Sequence, residues 1–228
     1  MERILVFDMD GVLVDVGESY RETICRTVEH FTGQRIPREL IQEYKNRGGW
    51  NNDWALSQRI TQDLGVDVSY ETVVDEFQKL FLGLNGDGEG GLIARERWIP
   101  EPGLLERLSE RFKLAIFTGR IRIELGITLS RWAPLVCFSP SVCTDDVIEG
   151  KPSPEGLHKI AGHHPGAELI FIGDTVDDAR SASAAGVPFI GIASAENPRR
   201  ADTVALFKAE NAIAVVESVN DLESVLPQ

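Results

Sequence analysis

Cysteine and histidine are scarce in this 228-residue chain, at three and four. The three cysteines, Cys25, Cys137 and Cys143, are odd in number and lack CxxC or His-paired zinc spacing, which excludes a disulfide framework and a zinc ribbon. Their use predicts reduced thiols and a cytoplasmic protein. No apolar run approaches the roughly 18 residues needed to cross a bilayer, and Met1-Glu2-Arg3 leads directly into a strand-like run. Neither membrane insertion nor a signal peptide is expected. Positive charge is short as well: 23 Lys and Arg face 36 Asp and Glu, a formal charge of −13. Without a stripe of Lys and Arg to neutralise phosphates, a nucleic-acid partner is excluded. A few local cations can still hold a small phosphorylated ligand. The glycine-rich stretch from Gly83 to Gly91 lacks the Gly-Lys-Ser/Thr of a nucleotide-cradling loop, and is expected to be a flexible hinge or lid. No internal repeat, long heptad pattern or basic tail is present, so no partner protein is evident.

What is present is an ordinary globular composition, 43% hydrophobic and 26% charged. At about 150 residues per domain the length fits one domain, or one carrying a sizeable insertion. Ile4–Phe7, Leu114–Phe117, Leu169–Ile172 and Val187–Ile190 are short apolar runs bounded by turn or polar residues, the pattern of buried parallel strands. Leu135–Phe138 and Ala212–Val216 are further candidates. Between the first two runs the period becomes helical: Tyr20, Ile24, Val28 and Phe31; Leu56, Ile60 and Leu64; Val73, Val74, Phe77, Leu80 and Phe81. The spacing predicts a Rossmann-like α/β core with a parallel sheet, made of residues 1–15 and 98–228. A helical domain of residues 16–97 is inserted into it.

The polar residues gather where the strands end. Asp8 and Asp10 follow the first, Thr118-Gly119-Arg120 the second, and Gly173-Asp174 the third, with Asp177 and Asp178 close behind. Ligands of open parallel sheets bind outside the carboxyl ends of the strands. Asp, Thr and Gly also terminate strands and cap helices, but that explains one such end more easily than three. Two carboxylates 4 Å apart repel by about 4 kcal/mol at an effective dielectric near 20. A rim holding Asp8, Asp10, Asp174 and Asp178 therefore needs an offset, and an all-oxygen set suits a hard divalent cation such as magnesium. Lys151, in Gly150-Lys151-Pro152, supplies complementary charge.

These residues carry a resemblance. Phe7-Asp8-Met9-Asp10-Gly11-Val12-Leu13-Val14-Asp15, Phe117-Thr118-Gly119, Gly150-Lys151-Pro152 and Gly173-Asp174-Thr175-Val176-Asp177-Asp178 resemble, in order, the four motifs of the haloacid dehalogenase superfamily. Ala182-Ser183-Ala184-Ala185-Gly186 follows the pattern of its phosphatase branch with a helical cap (subfamily I, phosphoglycolate phosphatase- and beta-phosphoglucomutase-like). The resemblance implies a magnesium-dependent phosphomonoester hydrolase acting on a small phosphorylated metabolite. In that reading Asp8 is the nucleophile and forms an aspartyl-phosphate, and Asp10 is the general acid and base. Asp8, the Asp10 backbone carbonyl, Asp174 and Asp178 serve the metal, while Thr118, Gly119 and Lys151 hold the phosphate. Asp177 or Asp178 can supply the final acid, and the spacing from Asp174 favours Asp178.

The substrate's alcohol is less determined. Arg47, Asn51 and Asn52, in the polar segment Arg47–Trp54, and Arg120 beside Thr118 are candidate substrate contacts. Equally, Asn52 or Asp53 can cap a helix with Trp50 or Trp54 in the core of the insertion. His163-His164 reads as an exposed loop; His30 and His158 lie on helices. A sugar-phosphate phosphomutase is the runner-up, since it keeps Asp10, and a catalytically idle phosphate-binding module on the same fold is a third reading.

Overall fold

The computed structural model describes residues 2–227. It begins with β1 (Arg3–Phe7) and the short β2 (Val14–Asp15), followed by the helices α1 (Tyr20–Thr32), α2 (Arg38–Arg47), α3 (Asp53–Asp63) and α4 (Tyr70–Leu82). β3 (Arg97–Trp98), α5 (Leu104–Ser109), β4 (Lys113–Phe117), α6 (Arg122–Trp132) and β5 (Phe138–Val142) come next. The chain ends through α7 (Glu155–His163), β6 (Glu168–Gly173), α8 (Val176–Ala185), β7 (Phe189–Ile192), α9 (Arg200–Ala209) and β8 (Ala214–Val216). It divides into two compact units, Met1–Val14 with Trp98–Gln228, and Asp15–Arg97.

The first unit is built on a six-stranded sheet of order β5-β4-β1-β6-β7-β8. Its pairings are parallel, with Val6 opposite Ala115 on one side and Phe171 on the other. Ile4, Leu5, Val6 and Phe7 are fully buried, as expected of a parallel sheet covered on both faces, where strands lose the alternation of a half-exposed sheet. Phe117, Phe171, Phe189 and Phe207 form a chain of ring contacts 5.4–6.1 Å apart through the core, joined by Leu157, Ala179 and Ala182 from the helices.

Two strands are displaced from their expected positions. Leu135 is 97% exposed, and the ladder starts only at Phe138, because Val136 N–H turns back onto the Ala133 carbonyl. β7 begins at Phe189, after Pro188, which has no N–H to donate and only accepts from Phe171.

In the second unit α1 packs on α3 and α4. Tyr20, Phe77 and Phe81 cluster at its centre, with ring centroids 4.0–6.1 Å apart. α2, not distinguished by sequence, buries only Ile41, Gln42 and Tyr44. The glycine-rich segment is a hydrogen-bonded turn: Gly88 donates to the Leu82 carbonyl at 2.9 Å and Gly86 to that of Gly83 at 3.2 Å. The cysteines are free thiols. Among the described residues no helix is long and apolar enough to cross a membrane.

Candidate active site

β1, β4 and β6 are adjacent in the sheet, so their carboxyl ends lie side by side. Asp8 extends β1 by donating its N–H to the Ile172 carbonyl at 2.9 Å, which fixes its backbone against β6. Its Oδ1 accepts from Met9 N–H at 2.8 Å. The chain then folds tightly, with Val12, Leu13 and Val14 all donating to the Met9 carbonyl. Gly11 makes this turn possible. Its φ is +74°, and a Cβ there would run into the Asp174 carboxyl group.

Lys151 is the centre of the charge arrangement. Its ammonium lies 2.9 Å from Asp8 Oδ1 and 2.6 Å from Asp178 Oδ1, and donates to the Phe117 carbonyl at 3.4 Å. The rings of Phe117 and Phe171 lie 5.4 and 5.6 Å from it, and all three charged side chains are buried. Asp178 is placed by the start of α8: its Oδ2 accepts from Thr175 N–H at 3.0 Å and Thr175 Oγ at 2.6 Å, while the Thr175 hydroxyl accepts from Asp178 N–H. That reciprocal cap orients the carboxylate towards Lys151. Of the two neighbouring acids, Asp178 therefore reaches the lysine.

Asp8, Asp174 and Asp178 each offer a carboxylate oxygen, and these lie within 4.8 Å of one another. Burial pushes the Asp8 carboxyl well above the ordinary range; Lys151 opposes this, and Asp178, Asp10 and Asp174 add to it. For Lys151 burial acts downward, but the carboxylates of Asp178 and Asp8 outweigh it and hold the ammonium above the usual lysine range. The donor set is all oxygen and its net charge is negative even with the lysine counted. A hard divalent cation fits such a set, in which Asp174 is half-buried while Asp8 and Asp178 are buried and both Asp178 oxygens already accept bonds.

Thr118 extends β4, donating its N–H to the Val142 carbonyl at 3.0 Å. It is buried, whereas Gly119 is exposed. Arg120, a candidate substrate contact, is held by the protein's own side chains. Its side chain is fully buried, with Nε and Nη2 at 3.0 and 2.5 Å from Asp10 Oδ1 and Nη1 at 2.7 Å from Thr128 Oγ1. Sequence reasoning missed this because the partners are 110 and 8 residues away and nothing local marks a buried guanidinium.

In the second unit, Arg47 pairs with Glu43 at 2.5 Å and stacks over Tyr44. Asn51 is half-buried. The Asn52 side-chain oxygen is committed to the start of α3, accepting from Trp54 and Ala55 N–H at 3.0 Å, and its amide donates to Tyr70 Oη. Trp50 packs edge-on against Tyr44. His164 is not the exposed loop residue expected: it is half-buried, within 3.0 Å of Glu2 Oε2 and 3.2 Å of the Ser139 carbonyl.

Fold and site together define an enzyme-like class, an open parallel α/β sheet whose strand ends assemble acids around one buried lysine. Residues 2–186 match the family model described as haloacid dehalogenase-like hydrolase, and the chain belongs to that family. It is 33% identical over 198 residues to the imidazoleglycerol-phosphate dehydratase of Phytophthora nicotianae; the match covers 82% of this chain but only 42% of that protein's length. With the phosphoglycolate phosphatase of Salmonella choleraesuis it shares 30% identity over 246 aligned positions, covering 96% of this chain and 90% of the relative. A conserved haloacid dehalogenase-like protein of Agrobacterium tumefaciens has the same fold, with a TM-score of 0.75 at 22% identity, covering 99% of this chain and 97% of its own.

Proposed function

We propose that the chain is a magnesium-dependent phosphomonoester hydrolase of small phosphorylated metabolites, working through a phosphoryl group carried transiently on Asp8. One observation carries the reading: a buried lysine bridges Asp8 and Asp178, with Asp174 alongside, at the carboxyl ends of adjacent parallel strands. The relationship to a phosphoglycolate phosphatase over nearly the whole chain supports the same chemistry.

In this reading an Asp8 oxygen attacks phosphorus as the bond to the alcohol oxygen breaks, and Asp10 gives that oxygen a proton. Asp10 then takes a proton from water as the water oxygen attacks phosphorus, the bond to Asp8 breaks and inorganic phosphate leaves. Dividing one displacement into two lowers each barrier. Proton transfer of the Asp10 kind contributes typically about 10²–10⁴ in rate. Lys151, the Thr118 hydroxyl and the Gly119 amide hold the phosphate oxygens, which is most of what phosphoryl transfer asks of a protein. Asp8, Asp174 and the Asp10 carbonyl would hold magnesium, with Asp178 behind Lys151, and the ion would supply further positive charge to those oxygens. We extend the reading to residues 1–15 and 98–228 as the catalytic core and 16–97 as a cap, with Arg47 and Asn51 as contacts for the alcohol.

The test is phosphate release from an aryl phosphate and from a panel of phosphorylated sugars, polyols and hydroxy acids, with magnesium and with chelator. Steady release that needs magnesium and is lost in Asp8→Asn supports the reading. Release that persists in Asp8→Asn overturns it, and sugar-phosphate isomerisation with only slow release of phosphate would replace it with a mutase.

A further inference from the structure

Arg120 is the largest fully buried side chain among the described residues, and a guanidinium is seldom taken wholly out of water without a specific task. Here both hydrogen bonds to Asp10 fall on one oxygen, Oδ1, from Nε and Nη2. The remaining arm is anchored at 2.7 Å to Thr128 Oγ1 on α6. The Arg120 backbone is held at both ends, its N–H donating to Thr118 Oγ1 at 3.2 Å and its carbonyl accepting from Thr144 N–H at 3.0 Å. Asp10 itself remains partly open, with 29% of its side chain exposed.

We propose that Arg120 is a positioning residue for Asp10, clamping Oδ1 from the protein side so that Oδ2 alone exchanges the proton with the reacting oxygen. This rests on the hydrolase reading above. A short carboxylate on a turn has several rotamers, and a general acid must sit within hydrogen-bond reach of its target. A planar fork tied to a helix selects one rotamer in a way that a flexible ammonium does not. Neutralising charge alone would not need two donors on one oxygen and a third on Thr128.

The consequence is a dependence on leaving group. An alkoxide needs the proton from Asp10 as it departs, whereas a nitrophenolate leaves without it. Arg120→Lys and Arg120→Met should therefore lose at least tenfold more kcat/KM, which reports the step in which the leaving group departs, on an alkyl phosphate such as glycerol phosphate than on p-nitrophenyl phosphate. In an Asp10→Asn background the same substitutions should cause no further selective loss, because what they position is gone. Equal losses of kcat/KM on both substrates, or additivity with Asp10→Asn, would overturn the proposal. Should the Arg120 variants not fold, Thr128→Val, which frees one arm and keeps the charge, must show the same alkyl-selective loss; an equal loss again overturns it. A wild-type protein inert towards both substrates with magnesium would instead sink the hydrolase reading, and this inference with it.

Discussion

At the scale of residues, the site is a balance of buried charges, and each member answers differently to removal. Burial and three neighbouring carboxylates disfavour the ionised form of Asp8, so a neutral isostere removes a group that the metal-free fold resists. On the proposed mechanism Asp8→Asn should lower turnover by at least about 10³-fold, as loss of a nucleophile does, without lowering the melting temperature of the metal-free protein. A fall in melting temperature would mean that the charge of Asp8 supports the fold. Lys151 is the opposite case. Removing it leaves Asp8 and Asp178 buried without their shared cation, and breaking a buried pair in this way costs about 3–5 kcal/mol. Lys151→Ala should accordingly show a large loss of stability in urea as well as of activity. A variant that is inactive but fully stable would place the lysine's role in substrate contact alone.

At the scale of elements, the site depends on turns that follow three strands, and glycine decides the first. Gly11→Ala must place a side chain at φ +74° and against Asp174, a backbone cost of about 1–2 kcal/mol before the clash is counted. The expected outcome is a modest loss of stability with a much larger rise in the magnesium concentration needed for half-maximal activity, because Asp174 is displaced. Equal magnesium dependence in the two proteins would separate Asp174 from the metal. The motif-bearing turns were legible in sequence because each is local: an apolar run long enough for a buried strand, then acids, Thr or Gly. β1, β4 and β6 stand where those runs predict them. β5 was not legible, since Phe138-Ser139-Pro140-Ser141-Val142 is an edge strand carrying proline and serine, and Leu135 just before it is exposed. α2 was hidden by its composition, Arg38-Glu39-Leu40-Ile41-Gln42-Glu43-Tyr44-Lys45-Asn46-Arg47, in which few residues mark the buried face. The burial of Arg120 could not be read at all, because it arises from a pairing with a residue on another strand end.

At the scale of the whole molecule, the net charge of −13 and the acid cluster act together on stability, and the sign can be worked out. Asp8 holds its proton more tightly folded than unfolded, so its ionisation costs the metal-free fold stability as pH rises above the ordinary carboxylate range. Lys151, raised in the fold, contributes stability that is fully present below the ordinary lysine pKa and fades only in alkali. Near neutrality the burden is therefore carried by Asp8, and on the proposed reading a cation shared with Asp174 would relieve it. Magnesium at about a hundredfold excess over its Kd should stabilise by about 2.7 kcal/mol, raising the melting temperature by roughly 5–10 °C near pH 7.5. Near pH 5 the shift should be clearly smaller, because protons compete for the same oxygen. Asp174→Asn should lose most of the shift at both pH values. A magnesium effect that is equal at both pH values, or that survives in Asp174→Asn, would locate the cation elsewhere on this acidic surface, where screening rather than coordination explains it.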